Sequence, residues 1–259
     1  MTSLYVSACT RESDKSTLAA NLLRSPDIVS GSVPCEPLWN SESAALAYNR
    51  VIDRATADIL IFTHSDVYFP RGWFARLIAE LDALNACDPN WAAAGLIGLT
   101  DYNQFAGRIW DTGLNRVIGV ALEKPVRVAA FDEVVLILRR NSGLRFDPRL
   151  PDFHLYGADL LFTAEARGQS VYVLDLPILH NSKPIERLPP SFVDSYKYLV
   201  NKWRARMPHP NIIVNLTRSP WTLLMRRARI RYKGLFRAST FNRIRLADPR
   251  EKSIELGFE

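Results

Sequence analysis

One apolar run, Ile59–Phe62, ends within a few residues in two side chains that can bind metal ions, His64 and Asp66. A short apolar run bounded by polar residues predicts a buried strand. Open α/β sheets place their ligands at the carboxyl ends of such strands. Because His64 and Asp66 are two positions apart, they project to the same side of an extended backbone. The feature therefore predicts an α/β fold with a ligand site beyond this strand, although an isolated His-x-Asp pair more often only caps a strand and turns the chain.

Segments typical of strands and of helices alternate through the first 185 residues. Strands are predicted at 4–8, 58–63, 92–99, 133–138 and 171–176, and helices at 41–56, 70–84 and 159–167. This alternation predicts a mostly parallel sheet covered by helices on both faces. Prolines at 184, 189 and 190 indicate a linker after the sheet. We therefore expect an α/β domain over residues 1–185 and a basic helical extension over residues 186–259.

The net charge of +6 is concentrated in that extension. Residues 201–259 carry 14 Lys and Arg against 4 Asp and Glu, so the rest of the chain is net acidic. Arginines mixed with apolar residues over 218–259 are typical of a segment that lies on an anionic membrane surface. The alternative is a solvated helix packed on the sheet domain. We expect no nucleic-acid partner, because the sequence contains no recognised nucleic-acid-binding module.

The cysteines and the N-terminus both favour a cytoplasmic protein. Cys9, Cys35 and Cys87 are odd in number and widely spaced, which argues against disulfides and against a zinc knuckle. The first residues lack the basic and apolar regions of a signal peptide. We expect a cytoplasmic location, with a peripheral position at the inner face of the membrane as a variant of it.

Further acids and imidazoles come just before the predicted helix at 159–167 and just after the last strand. Asp152, His154 and Asp159 surround the start of that helix, where the helix dipole stabilises a carboxylate. Such a carboxylate suits a metal ligand or a general base, although acids at helix starts are common without either role. His180 follows the last strand, where a lone histidine is more often structural. The chain has no glycine-rich phosphate loop, so a phosphate-bearing ligand would need a metal or basic side chains.

Taken in order, these segments resemble GT-A fold glycosyltransferases of the broad family 2 type, in particular the branch with a histidine in the Asp-x-Asp metal motif. The resemblance covers residues 1–185. It rests on four matches in order along the chain. The first two are Asn49 within residues 47–50 and the metal motif at 62–67. The third is the strand at 133–140 followed by the Phe-Asp pair at 146–147, and the fourth is the helix at 159–168 followed by the strand at 171–173 and by His180.

The resemblance implies an enzyme that transfers a sugar from a nucleotide-sugar donor to an acceptor hydroxyl, with inversion. The acceptor would be a glycan or a lipid-linked saccharide, as in polysaccharide biosynthesis. It implies Mn²⁺ or Mg²⁺ held by Asp66 and His180, with His64 assisting. The residues expected beside the donor nucleotide are Thr10, Arg11, Asn49, Ser65 and Asp66.

At the position of the general base this chain departs from the family, because Tyr156-Gly157 stand where the family often has Glu-Asp. We expect Asp159 to act as the base, with Asp152 and His154 as the next candidates. The glycine also favours an alternative, a non-catalytic module that binds a nucleotide sugar or a glycan. Two further substrate contacts are expected from Trp110, in a Gly-flanked segment at 107–113 predicted to be a loop, and from Asp101.

Overall fold

The computed structural model describes residues 2–237 and 245–259, with side chains described up to 232 and again from 245. Residues 238–244 of the predicted basic extension lie outside this part. The helices are α1 (Lys15–Ala20), α2 (Pro26–Val29), α3 (Ala44–Arg54), α4 (Trp73–Cys87), α5 (Tyr156–Ala166), α6 (Pro190–Lys202), α7 (Pro220–Arg237) and α8 (Pro249–Glu255). The strands are β1 (Leu4–Thr10), β2 (Cys35–Trp39), β3 (Ile59–His64), β4 (Val67–Tyr68), β5 (Trp91–Gly95), β6 (Ile97–Leu99), β7 (Phe105–Asp111), β8 (Arg116–Val120), β9 (Val126–Arg127), β10 (Ala130–Phe131), β11 (Val135–Arg139), β12 (Ser170–Val173) and β13 (Leu179–His180).

The larger sheet is mixed, with the strand order β2-β1-β3-β11-β5-β12-β9. The pairs β1–β2, β1–β3 and β5–β12 are parallel, as the alternation predicts. The expectation of a mostly parallel sheet is met only in part, because β11 runs antiparallel between β3 and β5, and β9 antiparallel to β12. The first residue of β11, Val135, pairs with Thr63 near the end of β3. The chain therefore enters β11 at the carboxyl edge of β3 and runs back.

A smaller sheet lies beyond that edge, with the order β10-β6-β7-β13-β4 and β8 paired to β7. Strand β4 follows β3 after two residues, and β13 follows β12 after five residues. In this sheet β13 runs parallel to β7 and antiparallel to β4. The small sheet thus brings the end of β7 and the end of β13 to the place where β3 delivers its polar residues.

Helices cover both faces of the larger sheet, as predicted. Alternate residues of β3 enter different hydrophobic clusters, Leu60 and Phe62 one and Ile59 and Ile61 the other. The first cluster includes buried residues of α3, α5 and α6, and the second those of α1 and α4. Because successive side chains of a strand point to opposite faces, the polar residues after β3 emerge from a sheet that is buried on both sides.

The predicted loop at 107–113 is wrong, since residues 107–111 belong to β7. The loop was predicted because the segment contains glycines, but Gly107 is required inside the strand. It has a φ of +75°, and a Cβ there would lie 2.2 Å from the carbonyl oxygen of Leu96. Glycine inside a strand often marks such a close backbone approach. Trp110 is consequently 7% exposed and packs with Tyr68 and Phe258.

The predicted extension packs onto the sheet layer. Phe192, Tyr196 and Leu199 of α6 and Leu223 and Ile230 of α7 belong to the same hydrophobic cluster as α3 and α5. Within residues 2–237 and 245–259, none of the helices has the length and apolar character needed to cross a membrane.

Candidate metal centre and adjoining cavity

Three side chains at the carboxyl edge could hold a metal ion. His64 ends β3, Asp66 lies in the two-residue turn between β3 and β4, and His180 ends β13. One ligand atom from each lies within 4.8 Å of the others. The Nε2 atom of His180 is 3.4 Å from Oδ1 of Asp66 and 3.5 Å from Nδ1 of His64. The structure therefore brings together the three residues that the sequence suggested as metal ligands.

Asp111 holds the outer side of His180. Its Oδ2 atom lies 3.0 Å from Nδ1 of His180, and the two residues are paired across the parallel strands β7 and β13. A carboxylate on one ring nitrogen of a histidine orients the other nitrogen toward a metal and raises its basicity. Nε2 of His180 is therefore the nitrogen that faces the cluster.

Burial and charge set different protonation preferences in the cluster. Burial lowers the pKa of His64, and the neighbouring His180 lowers it further. Burial alone would also lower the pKa of His180, but the carboxylates of Asp66 and Asp111 raise it to about 10. Burial would raise the pKa of Asp66, yet the two histidines and Arg245 hold it well below its usual range. The cluster thus contains a neutral imidazole in His64 and an ionised carboxylate in Asp66, both of which suit a cation, while the protonated His180 would have to release its proton to bind one.

Arg245 fixes the other oxygen of Asp66. Its Nη2 atom donates to Oδ2 of Asp66 at 2.9 Å, while Nε donates to the carbonyl oxygen of Asn181 and Nη1 to the hydroxyl of Thr17. All three bonds come from one planar guanidinium, so the carboxylate is held in a single orientation. Oδ1 of Asp66 is left facing His180.

A cavity of about 330 Å³ adjoins the cluster at the carboxyl ends of β1 and β3. Among its polar wall residues are Thr10, Arg11, Asp14, Ser41, Thr63, His64, Ser65, Asp66, Asp152, His154, Tyr156 and Ser191. The hydroxyl of Thr10 is buried and has no hydrogen-bond partner among the described residues. A buried, unpartnered hydroxyl on a cavity wall is a group that a polar ligand would satisfy. Four of the predicted nucleotide contacts, at 10, 11, 65 and 66, line this cavity.

Asp152 and His154 line the same cavity. Asp152 has a φ of +60° in the loop before α5, a conformation that is uncommon outside glycine. His154 packs edge-on against Phe192. Burial lowers its pKa, and His64 across the cavity lowers it further, while Asp152 opposes them. The His154 imidazole is therefore held mainly neutral, on the wall of the same cavity as His64 and Asp66.

Asp159 does not line the cavity and is 1% exposed. Lys202 of α6 donates to both its carboxylate oxygens at 2.7 and 2.9 Å, and Nε1 of Trp203 donates to Oδ1 at 2.7 Å. Lys202 also lies 2.7 Å from Asp147. A carboxylate held by a cation and an indole is poorly placed to take up a proton, so this position supports a structural role rather than the expected role as base.

The remaining predicted contacts lie elsewhere. The side-chain amide of Asn49 donates to and accepts from the backbone of Phe146, so both of its ends are engaged. Trp110 is buried under α8, with the ammonium of Lys252 4.5 Å from its ring centroid. Asp101 is exposed in the turn between β6 and β7. None of the three is on the wall of the cavity.

Two residues of the site were not found from the sequence. Asp111 follows Trp110 in a segment mistaken for a loop, and only the pairing of β7 with β13 reveals it as the partner of His180. Arg245 is one of many arginines in the basic extension, 179 residues from Asp66. No local pattern distinguishes it from its neighbours.

The fold is the GT-A fold of glycosyltransferases, as the resemblance predicted. The structure of GalNAc-T7 with UDP, GalNAc and Mn²⁺ matches 78% of this chain and 48% of its own, with a TM-score of 0.55 and 13% sequence identity. TarS of S. aureus (residues 1–349) matches 93% of this chain and 73% of its own, with a TM-score of 0.46 and 14% identity. The mannosyltransferase PcManGT of Pyrobaculum calidifontis, with GDP-Man and Mn²⁺, matches 98% and 79%, with a TM-score of 0.45 and 11% identity.

No protein-family model matches the chain. The "ATP synthase subunits region ORF 6" protein of Fuscovulum blasticum is 28% identical over 151 residues, which are 53% of this chain and 57% of that protein. The chain thus spans little more than half of this curated relative and about half of the GalNAc-T7 chain.

Proposed function

We propose that this protein is a metal-dependent glycosyltransferase that moves a sugar from a nucleotide-sugar donor to an acceptor hydroxyl. The observation that carries the proposal is the His64–Asp66–His180 cluster at the carboxyl edge of a GT-A sheet, beside a cavity whose wall includes His64 and Asp66. GalNAc-T7 and PcManGT, which share features of this architecture, were crystallised with nucleotide ligands and Mn²⁺. The reaction class is inferred from the combination of this fold with this cluster.

The cluster fits a divalent cation by its chemistry. Two imidazole nitrogens and one carboxylate oxygen converge, and Asp111 supports the metal-facing histidine from behind. We propose Mn²⁺ before Mg²⁺, because Mg²⁺ prefers an all-oxygen shell and keeps its waters. When bound, the cation would offset the negative charge of the donor diphosphate and of the departing nucleotide.

The chain's own residues would bind the donor and handle the proton. Thr10 ends β1 and Arg11 follows it, and both line the cavity, where the hydroxyl and the guanidinium can contact a nucleoside diphosphate. His154 is proposed as the group that accepts the acceptor's proton on Nδ1 or Nε2, because its imidazole is neutral and faces the cavity. Asp152 beside it would stabilise the resulting imidazolium. We propose inversion at the anomeric carbon, following the family resemblance.

We propose a glycan or a lipid-linked saccharide as acceptor, in polysaccharide biosynthesis at the inner face of a membrane. Residues 1–185 would form the catalytic domain. The extension at 186–259 would complete the site, since Ser191 lines the cavity and Arg245 binds Asp66.

The test is release of nucleoside diphosphate from a panel of UDP-, GDP- and dTDP-sugars, with Mn²⁺, with Mg²⁺ and with a chelator. We expect metal-dependent release, abolished by Asp66→Asn and unchanged by Asp82→Asn, an exposed acid on α4. His154→Gln should lose turnover while nucleotide binding, measured by thermal shift, persists. Asp159→Asn should keep turnover in molecules that remain folded. Turnover that persists in the chelator or in Asp66→Asn would contradict the proposal.

A second candidate is a binding module without catalysis. Gly157 supports it, because it stands where the family often has an acid, and the nearby Asp159 is engaged by Lys202 and Trp203. Metal-dependent binding of a nucleotide sugar without release of the nucleotide, across the whole donor panel and with acceptor glycans added, would favour this second function.

A further inference from the structure

Helix α7 is attached to the domain by a narrow buried stripe. Leu223 and Ile230 are 6% and 9% exposed and belong to the main hydrophobic cluster. They are seven residues apart, which is two turns of helix, so they lie on one side. The opposite side of the helix therefore faces away from the domain.

That outward side is apolar. Trp221, Leu224, Met225 and Tyr232 are 69%, 46%, 53% and 64% exposed. With 3.6 residues per turn they fall, together with Ala228, within an arc of about 100° opposite Leu223 and Ile230. We call these five residues the outer stripe. A contiguous exposed apolar stripe is costly in water, and such surfaces commonly mark interaction sites.

Arginines border the outer stripe on both sides. At the same helical spacing Arg227 and Arg231 fall on one flank and Arg229 on the other, and all three are exposed. The surface is thus an apolar centre with a positive rim.

This segment of the chain contains no acidic residue of its own. Between Asp194 and Asp248 the sequence has 13 Lys and Arg and no Asp or Glu, and of these Lys202, Arg206 and Arg245 form ion pairs with acids elsewhere in the fold. Arginines beside an apolar stripe keep their guanidinium groups at the level of the lipid phosphates while the apolar side chains enter the acyl boundary. A protein partner would need an acidic rim around an apolar groove, and a nucleic acid would leave Trp221, Leu224 and Met225 without an apolar environment.

We propose that α7 is an interfacial membrane anchor, which lies parallel to an anionic bilayer with the outer stripe inserted and the flanking arginines bound to lipid phosphates. The attraction has two parts, burial of apolar side chains and neutralisation of anionic headgroups. Either interaction alone would give weak binding. The two together favour binding of α7 to a membrane surface rich in anionic lipid. The anchor does not depend on the transferase proposal, since it uses residues outside the metal centre.

The experiment is co-sedimentation of the full chain with vesicles of phosphatidylcholine alone and of phosphatidylcholine mixed with phosphatidylglycerol. We expect binding to the mixed vesicles only, weakened by salt. Leu224→Ser/Met225→Ser should lower the partition coefficient about tenfold or more, since two exposed apolar side chains that would enter the bilayer are removed. Arg227→Gln/Arg229→Gln/Arg231→Gln should lower it about a hundredfold, at ~1 kcal/mol per arginine near an anionic surface.

Two matched controls carry the same chemical changes on other surfaces. Val29→Ser/Ile185→Ser removes two exposed apolar side chains, and Lys124→Gln/Arg127→Gln/Arg187→Gln removes three exposed charges. Both controls should bind vesicles like the unchanged protein, and all variants should keep its unfolding temperature. The proposal is overturned by absent vesicle binding, by equal loss in the controls, by tighter binding to RNA or DNA than to vesicles, or by a dimer that Leu224→Ser/Met225→Ser dissolves.

Discussion

His180 and Asp111 are neighbours on the parallel strands β13 and β7, with Nδ1 of the histidine 3.0 Å from Oδ2 of the carboxylate. The pairing is set by backbone register, so the carboxylate stays behind the ring. Asp111 is itself fixed, because its other oxygen accepts the backbone N–H of Leu114 at 2.7 Å. The Nε2 atom of His180, which faces His64 and Asp66, is therefore held in one orientation.

Asp111→Asn should weaken binding of Mn²⁺ by 10- to 100-fold, the usual effect of losing a supporting carboxylate behind a metal-binding histidine. The amide keeps the size of the side chain but not its charge. Titration calorimetry with Mn²⁺ measures the effect. Asp82→Asn is the control, as an exposed acid remote from the cluster. Unchanged Mn²⁺ affinity in Asp111→Asn would show that His180 does not bind the cation through Nε2.

The sequence predicted the strand that ends at His64 and placed His180 just beyond the last predicted strand, because an apolar run followed by polar residues is a local pattern. It also predicted the helices on both sides of the sheet. It did not predict the antiparallel β11 or the small sheet, since strand order depends on packing between distant segments. Asp111 was missed for the same reason, because only the neighbour of its strand shows what its carboxylate contacts.

Lys202 should matter more to stability than either acid it binds. Its Nζ lies 2.7 Å from Asp147 and from Asp159, whose side chains are 7% and 1% exposed. Lys202→Met leaves the buried carboxylate of Asp159 without its cation, whereas Asp147 keeps its ion pair with Arg149, and loss of one partner of a buried pair typically costs ~3–5 kcal/mol. Asp159→Asn leaves Lys202 paired with Asp147 and should cost less.

Urea unfolding of both variants measures this difference, with Lys197→Met, an exposed lysine of the same helix, as the control. Equal losses in Lys202→Met and Lys197→Met would contradict a structural role for the ion pair.

Glu133 should make stability fall as the pH rises. It lies before β11, accepts the backbone N–H of Gly157 at 3.1 Å, and burial, with Asp132 nearby, raises its pKa from 4.5 to about 8. A raised carboxyl pKa means that the folded state prefers the protonated form. The stabilisation from protonated Glu133 is complete below pH 4.5 and is lost progressively as the pH rises to about 8. Over this range the free energy of unfolding falls by at most ~1.4 kcal/mol per pH unit.

Glu133→Gln keeps an acceptor for the N–H of Gly157 and cannot ionise. Its free energy of unfolding should therefore vary less with pH than that of the unchanged protein, and should exceed it near pH 8. Urea unfolding across this range measures the difference, with the exposed Glu42→Gln as the control. Parallel pH profiles for Glu133→Gln and the unchanged protein would show that Glu133 ionises normally in the fold.

The effects of substitutions at Gly157 and Glu133 on the free energy of unfolding should also be coupled, because the two residues are in steric contact. A Cβ at Gly157 would lie 2.8 Å from Cγ of Glu133, closer than real contacts allow. Gly157→Ala should therefore cost ~1–3 kcal/mol, as overpacking does, despite the better helix propensity of alanine. In a Glu133→Ala background Cγ is absent, so the same change should become neutral or stabilising.

A double-mutant cycle on unfolding free energies measures the coupling, and the cycle of Gly157→Ala with Glu42→Ala should show none. Equal costs of Gly157→Ala in both backgrounds would mean that Glu133 does not exclude a side chain from this position, and that the missing acid at the start of α5 has another cause.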